Sequence, residues 1–322
     1  MANRKIPLEK TLEKTRNLER NLMAQVERLA RHNRQLSYKS RKRYQEAMMR
    51  YCKYLAAEWQ LEKIRNISGK HLEAYAQYLQ DCGKAPSTIK TELSAIRFWH
   101  DKMDDGGKYP LPSNKELLAV LERREYGKVD RTWSGTEYER YLELCREAGK
   151  ESFADVAQLA RHLGLRIHEA FWLDTATAEK ALRTGILTVK GKNGKWRDLP
   201  VEEPELSLLK RCLKGTRRGH KLFVPDEVAT HRQIEAAQHF LLSLRKLIRD
   251  PGSTSPLTYH GLRHNYAVER YNRIRDAQLA TGASENDADH EARQQVSRLL
   301  GHERLEVTRI YLASLQQTGD CS

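Results

Sequence analysis

Apolar side chains recur at helical spacing from the start of the chain, with Leu8, Leu12, Leu18, Leu22, Val26 and Leu29 marking one face of a first amphipathic helix. The same period continues over Tyr38 to Glu58, where Tyr44, Met48, Tyr51 and Leu55 share a face. Ser68 is placed to cap a third helix that carries Leu72, Tyr75 and Leu79 and ends near Gly83. Pro86-Ser87 opens a fourth with Ile89, Leu93, Ile96 and Trp99 inward, and Asp104-Asp105-Gly106-Gly107 breaks it. Four such helices predict a small bundle over residues 1–106.

The pattern loosens over 107–133, where Pro110 and Pro112 precede a short charged helical stretch ending near Lys128, so this segment is expected to be a linker. Ser134 with Glu137 three residues on is a capping box and starts a second domain, 134–322. Period-two runs at 186–189 and 196–201 flank Gly191-Lys192-Asn193-Gly194, which predicts a β-hairpin. The remainder reads as helix, except for Thr281–His290. There Gly282, Ser284, Asn286, Asp287 and Asp289 predict an exposed loop that looks inserted. The expected fold is mainly α with a small antiparallel β-sheet.

Charge alters this picture. The chain has 322 residues and a formal net charge of +14, and residues 1–50 alone hold fourteen Lys/Arg against five Asp/Glu. A surplus of that size points to a polyanion, nucleic acid before membrane. Five scattered cysteines (Cys52, Cys82, Cys145, Cys212, Cys321) with no CxxC fit reduced thiols and support neither a zinc site nor a disulfide framework. No apolar run reaches the ~20 residues of a membrane span, and MANRKIPLEK lacks a signal-peptide core, so a soluble cytoplasmic protein is expected.

Four short stretches carry candidate chemistry. Gly164-Leu165-Arg166 with Glu169 sets an arginine just before a helix, and Lys190, Lys192 and Lys195 crowd the hairpin tip. His260-Gly261-Leu262-Arg263-His264 spaces two histidines by four, a zinc-like interval with neither an HExxH glutamate nor an obvious third ligand. Leu299-Leu300-Gly301-His302 precedes Tyr311 by nine residues from the histidine. Each has an ordinary reading alone: surface arginine, solvated lysines, core tyrosine.

Together and in this order, over about residues 134–315, they resemble the tyrosine recombinase (phage integrase) family. That family carries an arginine in a GLR-hxE context, a hairpin lysine, an HxLRH box and LLGH followed by a tyrosine. The bundle is similar to the family's SAM-like core-binding domain in architecture alone. Two departures stand out. Thirty-five residues separate Arg263 from Leu299, more than in most members. No arm-binding domain is expected before the bundle, because the first helix begins within ten residues of Met1.

The resemblance implies a site-specific DNA recombinase that works through a 3′-phosphotyrosyl intermediate, with Arg166, Lys192, His260, Arg263, His302 and Tyr311 as catalytic residues. Forked guanidiniums suit phosphate oxygens, which assigns Arg166 and Arg263 to grip the phosphate, with His302 adding a hydrogen bond. Tyr311 is the expected nucleophile, His260 its base and Lys192 the acid for the leaving oxygen, with Lys190 and Lys195 as alternatives of register. Glu169 is expected to orient the arginines or His260. Neither ATP nor metal is expected: the chain has no GxxxxGK[ST] loop or acidic metal cluster. Expected partners are double-stranded DNA, three further copies in a tetramer on two duplexes, and an accessory DNA-bending protein, with the protein following DNA into the nucleoid. A mobile genetic element is the expected setting. The competing readings are a type IB topoisomerase-like or telomere-resolving enzyme and a catalytically silent architectural DNA-binding protein.

Overall fold

The computed structural model describes residues 8–31, 33, 35–103, 106–117, 129–191, 194–301 and 310–312. The chain divides into two compact units, Met1–Arg124 and Glu125–Ser322.

The first unit is helical: α1 (Leu8–Arg31), α2 (Tyr38–Glu58), a single 3-10 turn (Ile64–Asn66), α3 (Gly69–Asp81) and α4 (Pro86–His100). Each helix buries most of the stripe its sequence marks, but Leu12 of α1 is exposed. Leu22 and Val26 of α1 meet Met48, Tyr51 and Leu55 of α2, Leu72 and Tyr75 of α3, and Ile89, Leu93, Ile96 and Trp99 of α4. Local signals fix the ends. Ser37 accepts from Ser40 N at 3.3 Å to start α2, and Ser68 caps α3 with His71 taking the reciprocal role usually held by Glu. Part of the expected linker also belongs here. Arg97 reaches Pro112 O (2.7 Å) and Asn114 Oδ1 (2.8 Å), Lys108 N donates to Arg65 O at 2.8 Å, and Leu117 is buried in the same core.

The second unit opens with α5 (Gly135–Glu147), α6 (Glu151–His162), α7 (Ile167–Phe171) and α8 (Thr175–Thr184). A hairpin of β1 (Ile186–Lys190) and β2 (Trp196–Pro200) follows, then α9 (Glu205–Lys214), α10 (Thr230–Ile248), α11 (Tyr259–Ala280) and α12 (Glu285–Leu300). Ser134 and Glu137 form the expected capping box. The strands pair antiparallel with Leu187 opposite Leu199, Val189 opposite Arg197 and Lys190 opposite Trp196. Alternation along each strand turns Leu187, Val189, Arg197 and Leu199 inward and leaves Lys190 and Trp196 exposed.

Two cores hold this unit. One gathers Tyr141, Phe153, Phe171, Leu187, Leu209 and Leu262. The other, between α11 and α12, takes in Tyr266, Val296, Leu300, Tyr311 and Leu312. The segment before α5 is tied to α11 by Trp133 N to Asn265 Oδ1 (2.9 Å) and Asn265 Nδ2 to Trp133 O (2.8 Å).

One expectation fails here. Residues 281–290 are exposed as predicted, apart from Ala288 and the half-buried Ala283 and Asp289, but they are not a loop. Only 281–284 turn. Ser284 then accepts from Asp287 N at 3.2 Å and starts α12 at Glu285. Arg275 bonds Glu285 at 2.6 Å, and Tyr271 and Arg293 both bond Asp289, so the extra length between the two motif boxes lengthens a helical hairpin.

Candidate active site

The site begins where α6 stops. Gly164 holds φ +61°, and a Cβ there would sit 2.4 Å from the Tyr266 ring, so both conformation and space require glycine. Its turn delivers Arg166 to the N-cap of α7. Arg166 N bonds Glu169 Oε2 at 2.8 Å, and its Nη1 bonds Glu169 Oε1 at 2.7 Å.

Glu169 is the hub. Its side chain is 0% exposed, and Arg197 grips both of its oxygens, Nη1 to Oε1 at 2.9 Å and Nη2 to Oε2 at 2.7 Å. Arg263 Nη1 lies 4.0 Å from Oε2. Burial by itself would raise the carboxyl, but Arg197 and Arg166 outweigh it and hold Glu169 below the ordinary carboxylate value. One carboxylate therefore organises three guanidiniums, which leaves positive charge in excess. Both Glu169 oxygens are taken up by arginines. Arg197 was not among the expected site residues.

Arg263 is fully buried, donating through Nη1 to Gly164 O and through Nη2 to Leu300 O. Burial lowers its pKa to about 10, so it stays charged at neutral pH. Its Nε, like that of Arg197, is buried with no partner among the described residues.

The first turn of α11 supplies the rest. Thr258 caps it, and Gly261 lets its backbone press on the preceding segment, because a Cβ there would meet Arg131 O at 2.3 Å. His264 lies against the Tyr311 ring at 4.4 Å and 30°, and His260 meets it edge-on at 5.4 Å and 67°. The Arg263 guanidinium is 5.6 Å from the same ring. Tyr311 is 5% exposed, enclosed by these groups and the α11–α12 core.

Both histidines are held neutral. Desolvation, then Arg263, Arg131 and Arg166, push His260 down to about 4, although the residue as a whole is exposed. Desolvation, then His260 and Arg131, push the buried His264 down to about 3. The i, i+4 spacing that suggested zinc serves instead to bracket Tyr311. Among the described residues no group of three or more His, Cys, Asp or Glu could hold a metal.

Lys192 and His302 lie outside the described residues, but the residues beside them meet the arginine cluster. A Cβ on Gly191 would be 3.4 Å from Glu169 Oε1 and 3.7 Å from Arg166 Nη1. A Cβ on Gly301 would be 3.2 Å from Arg197 Cδ. The structure thus brings Arg166, Glu169, His260, Arg263 and Tyr311 together and adds Arg197, His264 and Arg131. Chemically it presents a phenol, neutral imidazoles and surplus guanidinium charge, which suits attack on an anionic ester.

Comparison with known proteins places the chain among relatives of one family. The phage integrase family model matches residues 132–318, and the model of the phage integrase N-terminal SAM-like domain matches residues 27–102. The chain is 25% identical over 291 residues to the tyrosine recombinase XerD of Oceanobacillus iheyensis, covering 87% of this chain and 89% of that protein. It is 26% identical over 258 residues to the tyrosine recombinase XerC of Herpetosiphon aurantiacus, covering 76% and 75%. Among solved structures, XerH site-specific recombinase bound to palindromic difH DNA aligns with TM-score 0.59 and 18% identity over 100% of this chain and 91% of that one. A lambda integrase dimer bound to a COC′ core site aligns with TM-score 0.58 and 17% identity, covering 95% of each. These structural likenesses concern the fold.

Proposed function

This chain belongs to the phage integrase family, the tyrosine recombinases, and from that premise we propose that it cuts and rejoins DNA at specific sites through a phosphotyrosine at Tyr311. The observation that carries the reading is the enclosure of the Tyr311 ring by His260, His264 and Arg263, beside the Arg166–Glu169–Arg197 cluster.

Arg166 and Arg263 grip the non-bridging oxygens of a DNA phosphate, and His302 adds a hydrogen bond to the same group. Glu169 and Arg197 hold Arg166 in place. Neutral His260 takes the phenol proton as the Tyr311 oxygen bonds to phosphorus. The bond from phosphorus to the 5′-oxygen breaks, and Lys192 protonates that oxygen as it leaves. The product is a 3′-phosphotyrosyl link and a free 5′-hydroxyl. Attack by another 5′-hydroxyl reverses each step and rejoins the strands, so phosphodiester energy is conserved without ATP.

Strand exchange requires two duplexes and four copies of the chain, and we extend the reading to a tetramer. A lambda integrase tetramer bound to a Holliday junction, with TM-score 0.56 to this chain, supports the extension. The proposed setting is a mobile genetic element, with the protein associated with DNA and an accessory DNA-bending protein as a further partner. Incubation of the purified chain with two differently labelled duplexes carrying a candidate site tests the reading. Recombinant joints between them are the expected product, and their sequenced junctions should delimit a discrete mobile segment. Relaxation of a supercoiled plasmid without joints would instead favour the topoisomerase-like alternative, and binding without any cleavage the silent one.

A further inference from the structure

Beside the Tyr311 enclosure lies a cavity of about 460 Å³ whose lining includes Arg131, Arg166, His168, Gln238, Arg245 and His260, and no Asp or Glu. It has room for more than a single phosphate group. Arg166 and His260 belong to the site already described, whereas Arg131 and Arg245 do not.

The backbone of Arg131 serves the fold, since its carbonyl accepts from Ser255 Oγ at 3.4 Å and is pressed by Gly261. Its side chain has no such role, for no hydrogen bond or ion pair holds the guanidinium among the described residues. That cation lies close enough to His260 and His264 to act on both. On α10, Arg245 donates Nε–H to Leu257 O at 3.0 Å, which anchors a side chain that lines the cavity, and neither Nη has a hydrogen-bond or ion-pair partner among the described residues. Two cations without carboxylate partners, in a cavity continuous with the phosphate grip, call for an anion there.

Resting on the proposed reading, we infer that Arg131 and Arg245 bind the DNA phosphate adjoining the one that Tyr311 attacks. The scissile group has only two non-bridging oxygens, and Arg166 and Arg263 already address them. A second phosphate held in the same cavity fixes the strand on both sides of the reacting phosphorus and sets it in line with Tyr311. Arg131 and Arg245 are thus positioning residues, acting through the neighbouring nucleotide.

The test pairs Arg131→Ala with DNA in which single phosphates are replaced by uncharged methylphosphonates. The probe is a duplex whose cleavage point has been mapped by sequencing trapped adducts. Wild type is expected to lose about 10- to 100-fold in cleavage when one of the two flanking phosphates is neutralised, the worth of a charged hydrogen bond. Combined with Arg245→Ala, Arg131→Ala should show that loss on unmodified DNA and no further loss on the flanking methylphosphonate, while remaining sensitive to the scissile one. Additive losses at both flanking positions, or insensitivity confined to the scissile position, would overturn the assignment.

A second measurement does not depend on cleavage. In a Tyr311→Phe background, Arg131→Ala combined with Arg245→Ala should bind a random-sequence duplex with a log-affinity against log-salt slope shallower by about 0.9. An unchanged slope refutes the phosphate contact. If wild type cleaves nothing but the slope still falls, the catalytic reading fails and the phosphate contact stands.

Discussion

Three lysines share the hairpin tip, and their register decides which can serve as the acid. Lys190 stands opposite Trp196 on the outer face of the sheet, with its ammonium 5.7 Å from that ring, away from the inward face that carries Arg197. Lys192 follows Gly191, which adjoins Glu169 and Arg166. Lys192→Ala is therefore expected to slow cleavage by roughly 10²–10⁴, the usual worth of a general acid. A bridging 5′-sulfur should remove the loss, because a thiolate leaves without a proton. Arg166→Ala and Arg263→Ala should gain nothing from sulfur. Rescue of Lys195→Ala instead would move the acid three residues. His260 gives a second check at this scale. Its depressed pKa means that the accepting nitrogen is free at neutral pH and lost only as pH falls through about 4. The acid limb of kcat/KM, which reports the free enzyme, should lie well below the ordinary histidine value near 6.5 and vanish in His260→Ala. A limb at the ordinary value would remove His260 as the base.

At the scale of elements, Glu169 joins α7 to the hairpin and to α11 through Arg166, Arg197 and the nearby Arg263. Glu169→Ala leaves buried guanidiniums uncompensated and should destabilise the second unit by about 3–5 kcal/mol in urea melts. A loss under about 1 kcal/mol would mean that water or solution anions replace the carboxylate. The helices of the first unit are legible from their apolar stripes and caps and the hairpin from its alternation, whereas the second unit reads only as a capping box at Ser134 and a mostly helical remainder. Arg197 escapes a reading of the sequence because a strand arginine looks solvated. The signal is there, since period two puts it on the same face as Leu199. The α11–α12 turn misleads for a related reason. Its polarity suggests a loop, yet Ser284 followed by Glu285 and Asp287 is a helix start, with Ala288 and Ala292 marking its buried side. His264 is visible as part of a motif, but its place against Tyr311 depends on the fold of residues 310–312 onto α11, which no local pattern states.

For the whole molecule, the basic bias of the first fifty residues is carried largely by α1 and α2, which are also structural. Leu22 and Val26 are fully buried, so truncation before Leu36 would remove core along with charge. Substitution separates the two. Arg16, Arg20, Arg28 and Arg31 are exposed on α1, and changing all four to Gln should leave the melting temperature within a few degrees. The salt dependence of duplex binding should flatten by about 0.9 for each phosphate that these arginines neutralise. An unaltered slope would make this face solvated rather than DNA-binding. No helix among the described residues is long and apolar enough to cross a membrane.

The central claim is a covalent bond between Tyr311 and DNA, and trapping that bond tests it most directly. A nicked substrate that lets the 5′-hydroxyl fragment diffuse away should leave a denaturant-resistant protein–DNA adduct. Proteolysis and mass spectrometry of the adduct should place the 3′-phosphate on the peptide containing Tyr311. Tyr311→Phe should form no adduct while binding the duplex with unchanged affinity. An adduct on another residue, or one that persists in Tyr311→Phe, would contradict the account.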